Sequence, residues 1–289
     1  MSAPATPDVA AYYDEPTGSV TYLVVDSGSN HAAIIDPVLD YDEKAGRIST
    51  ASADALLADI RRRDLKIDWI LDTHPHADHL TALAYLKEKL GAPTAIGEKV
   101  VEVQKLWREI YNVQDFPTDG RQWDRLFCDG DTFTIGSLVA RVMYSPGHTL
   151  ASITYLIGDA AFMHDTLFQP DSGTARCDFP AADATQLYHS ISTILALPDD
   201  TRLFTGHDYR PGGRAAQWQS TVAEQKRDNI HFKSKPSCED FVRMRQARDR
   251  TLAMPKQILH ALQVNLRAGA LPPAENDGRH YLKIPINRL

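Results

Sequence analysis

Cysteine is scarce in this 289-residue chain. Cys128, Cys177 and Cys238 form an odd set at wide spacing, with no C-x-x-C pair. That excludes a disulfide framework and fits a reducing compartment. Positive charge is also in short supply: 31 Lys and Arg stand against 38 Asp and Glu, a net charge of −7. A broad nucleic-acid-binding face needs the opposite balance, so no nucleic-acid partner is expected. A local basic pocket for an acidic small substrate is still compatible. No Lys or Arg precedes Lys44, and no long apolar run occurs. Secretory and Arg-rich transit signals are therefore not expected, nor is a membrane span of roughly 18 apolar residues. A cytoplasmic protein without a membrane partner is the expectation. Internal repeats and low-complexity tracts are lacking too.

What is present is a globular balance of 43% hydrophobic and 24% charged residues, which makes a buried core possible. Residues 1–17, rich in Pro, Ala and Asp, are expected to be a mobile lead-in. Apolar runs at Val20–Val25 and Ala32–Ile35 read as strands joined by the turn Ser27-Gly28-Ser29-Asn30. In Ala53–Arg63 the apolar Leu56, Leu57 and Ile60 share one helical face. Ile67–Leu71 reads as a strand, Leu80–Leu90 as a helix ended by Gly91-Ala92-Pro93, Thr94–Ile96 as a short strand and Glu98–Tyr111 as a helix. After an irregular polar stretch the pattern turns β, at Thr132–Ile135, Leu138–Tyr144, Ser152–Ile157 and Ala160–Met163. Thr185–Leu197 is a helix, Arg202–Thr205 a strand, and the chain from Ala215 reads as helices with an irregular tail from Leu271. The order β-rich, α, β-rich, α suits two packed sheets with helices outside. No linker is visible. One domain over residues 1–289 is expected, with a core over about 18–210 and a helical C-terminal extension over about 215–289.

The densest chemistry lies in Thr73-His74-Pro75-His76-Ala77-Asp78-His79, between a strand and a helix. Imidazole and carboxylate are ligands for zinc, iron and manganese. His74 and His76, two apart, can face one ion if the backbone is extended there; Asp78 and His79 can face a second position. Further candidates sit in the same context, a polar residue just past an apolar strand: His148 in Pro146-Gly147-His148-Thr149, Asp165 in His164-Asp165-Thr166, and His207 in Gly206-His207-Asp208-Tyr209. Strand ends on one sheet edge converge in space. Asp159 competes with Asp165, but Gly158-Asp159 reads as a hairpin turn. His31, His164, His189, His231, His260 and His280 are expected to be ordinary structural residues.

These residues resemble the metallo-β-lactamase superfamily, whose T-H-x-H-x-D-H motif is met by Thr73 to His79, with His148, Asp165 and His207 following in the family order. The resemblance spans about residues 20–210 and implies an α/β fold, the αββα sandwich. Within the superfamily the chain most resembles the persulfide dioxygenases, the group of the ethylmalonic encephalopathy protein and the bacterial β-lactamase-like hydrolases. Ala77 before the Asp-His pair, Pro146-Gly147-His148-Thr149, Gly173-Thr174-Ala175-Arg176-Cys177-Asp178-Phe179 and Gly206-His207-Asp208-Tyr209 carry that likeness.

The resemblance implies one Fe(II) per chain on His74, His148 and Asp165, with zinc or manganese as substituents. His76, Asp78, His79 and His207 would then be a second shell or an unused second site. It implies oxidation of glutathione persulfide by O₂ to sulfite and glutathione, in sulfide detoxification. Two His and one carboxylate leave positions open on octahedral iron, which suits an oxygenase. The alternative is a glyoxalase II-like hydrolase of glutathione thiolesters with two metals: His74, His76 and His148 on one, Asp78, His79 and His207 on the other, and Asp165 bridging. Paired metals generate hydroxide near neutral pH. A non-catalytic metal-dependent binding protein is a third reading, and the intact ligand set weighs against it. No side-chain nucleophile is expected; Asp78 and Tyr209 are the candidates for a direct part in catalysis. Arg176 is the expected anchor for glutathione carboxylates, Tyr209 a substrate hydrogen-bond donor, and Arg214 a weaker anchor. Against these stand an Arg176 pair with Asp178 or Asp171, a packed Tyr209, and Cys177 as a small buried residue. A homodimer is compatible with the sequence.

Overall fold

The computed structural model describes residues 6–289. Along the chain run β1 (Asp8–Tyr13), β2 (Val20–Val25), β3 (His31–Ile35), β4 (Val38–Asp42), β5 (Arg47–Ser49), α1 (Ala51–Arg62), β6 (Lys66–Leu71), β7 (Leu80–Thr81), α2 (Leu83–Leu90), β8 (Thr94–Gly97), α3 (Val100–Tyr111) and β9 (Arg125–Phe127). Then come β10 (Thr132–Ile135), β11 (Leu138–Tyr144), β12 (Ile153–Ile157), β13 (Ala160–His164), α4 (Ala184–Leu195), β14 (Arg202–Thr205), β15 (Gln219–Thr221), α5 (Val222–Asp228), α6 (Cys238–Asp249) and α7 (Ile258–Asn265).

Two six-stranded sheets result. The first has the order β1-β2-β3-β6-β8-β9, the second β10-β11-β12-β13-β14-β15. In the first, β1, β2 and β3 are antiparallel, and β3, β6, β8 and β9 run parallel. In the second, β10 to β13 form an antiparallel meander, β13 and β14 are parallel, and β15 returns antiparallel.

Side-chain alternation shows how the layers stack, since successive strand residues face opposite ways. Val20, Tyr22 and Val24 of β2 join Phe133, Tyr155, Phe162 and Phe204 of the second sheet in one buried cluster. Leu23 and Val25 face the other way, onto Leu56, Leu57 and Ile60 of α1 and Leu83 and Leu86 of α2. Ala161, Met163 and Leu203 leave the far face of the second sheet to pack on Leu187, Ile191 and Ile194 of α4 and Phe241 of α6. The order helix, sheet, sheet, helix is the expected αββα sandwich. Strands buried on both faces lose the apolar/polar alternation of an open sheet, which explains the continuous apolar runs of β2 and β3.

The structure departs from the sequence reading in several places, among them β4 and β5, a hairpin over a stretch where no strand was expected. The expected lead-in contains β1, paired with β2 from Asp8↔Val25 to Tyr13↔Val20. Its Val9, Ala11 and Tyr13 face the inter-sheet core and its Ala10 and Tyr12 face the helices, an alternation masked by the weak polarity contrast of Ala and Tyr. Residues 1–5 of that lead-in lie outside the described residues. The helix expected from Leu80 begins at Leu83, because Leu80 and Thr81 pair with Leu39 and Val38 in a small third sheet, β5-β4-β7. β9 lies just past the stretch read as irregular, as an edge strand on β8. β15 precedes the C-terminal helices and closes the second sheet beside β14. Among the described residues no helix is long and apolar enough to cross a membrane.

Candidate metal centre

Five chain segments leave their strands at one edge and meet. Asp36 follows β3, the Thr73–His79 motif follows β6, His148 lies between β11 and β12, Asp165 follows β13, and His207 follows β14. The donor atoms of His74, His148 and Asp165 lie within 4.8 Å of one another, as do those of His76, Asp78 and His79. All seven residues read from the sequence as metal candidates are thus brought together, and all but Asp78 are buried.

His74, His76, His79 and His148 are each oriented through one nitrogen, and His207 through both. His148 Nδ1 bonds the Arg176 carbonyl at 2.9 Å, leaving Nε2 3.5 Å from Asp165 Oδ2. His76 Nε2 bonds Asp36 Oδ1 at 2.9 Å, and His74 Nδ1 lies 3.1 Å from Thr73 Oγ1. His79 Nδ1 and His207 Nε2 both bond Asp78 Oδ2, at 2.6 and 2.8 Å, and His207 Nδ1 bonds Asp165 Oδ1 at 2.7 Å. Ser19, from the β1–β2 turn, donates to the same Asp78 oxygen at 2.7 Å.

The residues fit a metal ion. His74 Nε2, His76 Nδ1 and His79 Nε2 are buried and have no hydrogen-bond partner. A buried imidazole nitrogen left unpaired is costly, and coordination removes that cost. Ionisation states agree for His74, His76, Asp78 and Asp165, since ligands must be neutral imidazole or carboxylate. His207 differs, because burial would lower its pKa but Asp165, Tyr209 and Asp78 hold it well above the usual range. Burial, reinforced by His76 and His164, holds the His74 pKa well below its usual range, and burial with His79 pushes His76 down to about 4. Burial would raise Asp78 and Asp165, but His207 with His79 in the first case, and with His164 in the second, holds both well below the usual carboxylate range.

Beyond the motif, Asp36 accepts from Thr73 N at 2.7 Å and Thr73 Oγ1 at 2.9 Å, as well as meeting His76. Its left-handed φ of 51° turns the chain sharply out of β3. Asn265, the last residue of α7, is fully buried, and its amide donates to the carbonyls of His76 and His79 at 2.8 Å each. The same side chain accepts from Thr81 N at 2.8 Å. The C-terminal extension therefore clamps the motif loop. Ser19 and Asn265 carry no local sequence signal. Asp36 carried a faint one, the Ile35-Asp36-Pro37 strand end.

His164 corrects the sequence reading. It was expected to be an ordinary structural histidine, yet it is 3% exposed, inside the cluster, with its ring 4.8 Å from His74 and 4.5 Å from His76. Its adjacency to Asp165 was the signal available. Of the other histidines so read, His31 meets Asp68 at 2.8 Å and His231 accepts from Thr174 N at 3.1 Å.

The expected substrate residues line the surroundings differently. Arg176 is bidentate to Asp178 at 2.6 and 2.7 Å and donates to the Ala253 carbonyl at 2.7 Å. Its guanidinium is thus engaged as the competing reading anticipated, while its carbonyl orients His148. Arg214 bridges Asp171 and Asp208. Tyr209 is 61% exposed and stacks on His207, with ring planes 5° apart and centroids 5.6 Å apart. Burial pushes the Cys177 thiol far up, as befits an inert packed residue. Asp159 pairs with Arg202 at 2.6 Å, away from the cluster, in the hairpin turn expected for it.

Comparison with known proteins agrees with this geometry. The family model described as the metallo-beta-lactamase superfamily matches residues 14–207. A "Beta-lactamase hydrolase-like protein" of Agrobacterium fabrum is 63% identical over 285 residues, 99% of this chain and 66% of its own length. The chain thus spans just under two thirds of that relative. "Glyoxylase B2" of Dictyostelium discoideum is 46% identical, with 100% of this chain and 99% of the relative covered. Human "Persulfide dioxygenase ETHE1, mitochondrial" is 31% identical over 88% of this chain and 85% of its own length. The crystal structure of ETHE1 from Myxococcus xanthus superposes with a TM-score of 0.73 at 30% identity, over 91% of this chain and 100% of that one. With the T-H-x-H-x-D-H loop, its later partners and the αββα layers all in place, the chain belongs to the metallo-β-lactamase superfamily.

Proposed function

We propose that this chain is a persulfide dioxygenase that oxidises glutathione persulfide with O₂ to sulfite and glutathione, using one Fe(II) on His74, His148 and Asp165. The observation that carries this reading is the convergence of those two imidazoles and one carboxylate, with donor atoms within 4.8 Å of one another. Two His and one carboxylate form the facial set of non-haem iron oxygenases. The persulfide dioxygenase relatives support the same reading.

Iron bound there supplies O₂ activation; the rest is the work of the chain. The Arg176 carbonyl fixes the His148 tautomer, so that Nε2 faces inward. Asp165 is kept ionised. The core beneath the motif excludes water from the inner side. Tyr209, exposed and stacked on His207, is placed to offer its phenol to a thiol-linked substrate. Asp178 holds the Arg176 guanidinium at the edge of the centre, where a substrate carboxylate can exchange for it.

The hydrolase reading has two observations in its favour: His76, Asp78 and His79 also converge, and His76 Nδ1 and His79 Nε2 are buried without a hydrogen-bond partner, where a second ion would satisfy them. The name of the Dictyostelium relative points the same way. Against a second ion, one carboxylate oxygen of Asp78, Oδ2, already takes Ser19, His79 and His207. The test is to give Fe(II)-loaded protein glutathione persulfide and follow O₂ uptake and sulfite. Uptake matched by sulfite is expected. No uptake, with cleavage of S-lactoylglutathione, would replace the dioxygenase with the hydrolase.

A further inference from the structure

An imidazole outside the family motif stands in the middle of the centre. His164 Nε2 lies 3.3 Å from Asp36 Oδ2 and His164 Nδ1 lies 3.2 Å from Asp165 Oδ1, ion-pair distances at which neither buried nitrogen makes a hydrogen bond. Those two carboxylates have different jobs. Asp36, from the first sheet, holds Thr73 and His76 and so shapes the motif loop. Asp165, from the second sheet, is a candidate ligand. The ring of His164 therefore spans the seam between the two sheets at the place where their metal-holding residues must match.

Three backbone features aim the ring there. The pairing of β13 with β14 shifts register between Phe162 and His164, a bulge of the kind that re-aims a side chain. His164 has a left-handed φ of 39°, unfavourable for a residue with a Cβ. Gly206, just before His207, leaves a hollow for the imidazole; a Cβ there would fall 2.2 Å from His164 Cε1. Strain retained at a buried site is a reason to look for function. Simple filling of space would not require two carboxylate contacts.

We propose that His164 is a positioning residue of the metal centre, whose imidazole holds Asp36 of the first sheet and Asp165 of the second at the separation the bound metal requires. This rests on the metal centre proposed above. Supporting residues of this kind change metal affinity by about 10–100-fold when removed.

The test compares anaerobic Fe(II) and Co(II) titrations of the full chain with those of His164→Gly and His164→Asn. Glycine accepts the positive φ. Asparagine also tolerates it and keeps a donor near Asp165. Metal affinity in His164→Gly is expected to fall about 10–100-fold, with a shifted Co(II) absorption spectrum and an unchanged far-UV spectrum. His164→Asn is expected to recover part of the loss. Gly206→Ala, which pushes the ring, is expected to weaken metal binding in the wild type and to have little further effect in the His164→Gly background. Wild-type affinity and an unshifted Co(II) spectrum in His164→Gly would overturn this inference alone. A wild type that takes up no metal would overturn the proposed centre and this inference with it.

Discussion

The proposed ligands His74, His148 and Asp165 are each held by a neighbour through one atom, and single substitutions separate holding from liganding. His148→Ala and Asp165→Ala remove atoms of the convergent set and are expected to abolish iron binding, measured as metal per chain after gel filtration. Tyr209→Phe removes a phenol next to His207 without touching a ligand. It is expected to leave iron content unchanged and to lower kcat/KM for glutathione persulfide by about 5–10-fold, the worth of one hydrogen bond; unchanged kinetics would return Tyr209 to a packed aromatic. The ligand candidates were legible because clustered His and Asp past strand ends have little structural use. Their supports were not. Asn265 lies 186 residues from His79, and an asparagine ending a helix looks like any other. His164 ends an apolar run as its last strand residue, and only the bulge and the turn of its backbone swing it into the centre. Arg176 was read for its charge, whereas its carbonyl makes the contact with His148.

The elements carrying these residues are tied together at points that can be tested by stability. Asn265 couples α7 to the motif loop through two hydrogen bonds of 2.8 Å and to β7 through a third, from Thr81 N, also 2.8 Å. Asn265→Ala leaves buried carbonyls and an N–H unpaired and is expected to cost about 1–3 kcal/mol, read from denaturant unfolding. At the opposite edge Asp26, between β2 and β3, accepts from Ser137 N at 2.8 Å and Ser137 Oγ at 2.9 Å in the β10–β11 turn, joining the two sheets. The Ser137 and Gly28 amides and the Ser29 and Ser137 hydroxyls bring its carboxyl down to about 2. Because the folded pKa is depressed, this stabilisation is full above the unfolded value of about 3.9 and is lost as pH falls toward 2. Asp26→Asn is expected to lower stability at neutral pH and to flatten its decline between about pH 4 and 2; an unchanged acid limb would remove Asp26 from that role. The long buried strands were legible from their apolar runs. β1, β4, β5, β7, β9 and β15 were not, because short or edge strands take their structure from pairing partners that no local pattern reveals.

Across the whole molecule the two sheets contribute different parts of one centre. The first brings Asp36 and the Thr73–His79 loop, and the second brings His148, Asp165 and His207. A metal bound between them should therefore lock the sandwich. Chelation is expected to lower the melting temperature without loss of secondary structure, since a ligand at about 1,000 times its Kd adds about 4 kcal/mol to stability. The αββα order was legible from the sequence because two β-rich halves each lead into helices. The central claim, a single iron on His74, His148 and Asp165, is tested most directly by titrating metal-free protein anaerobically with Fe(II) and counting equivalents bound in the wild type, His79→Ala and His207→Ala. The account predicts saturation at one iron per chain in all three. Two equivalents in the wild type, or loss of the iron in either variant, would contradict it.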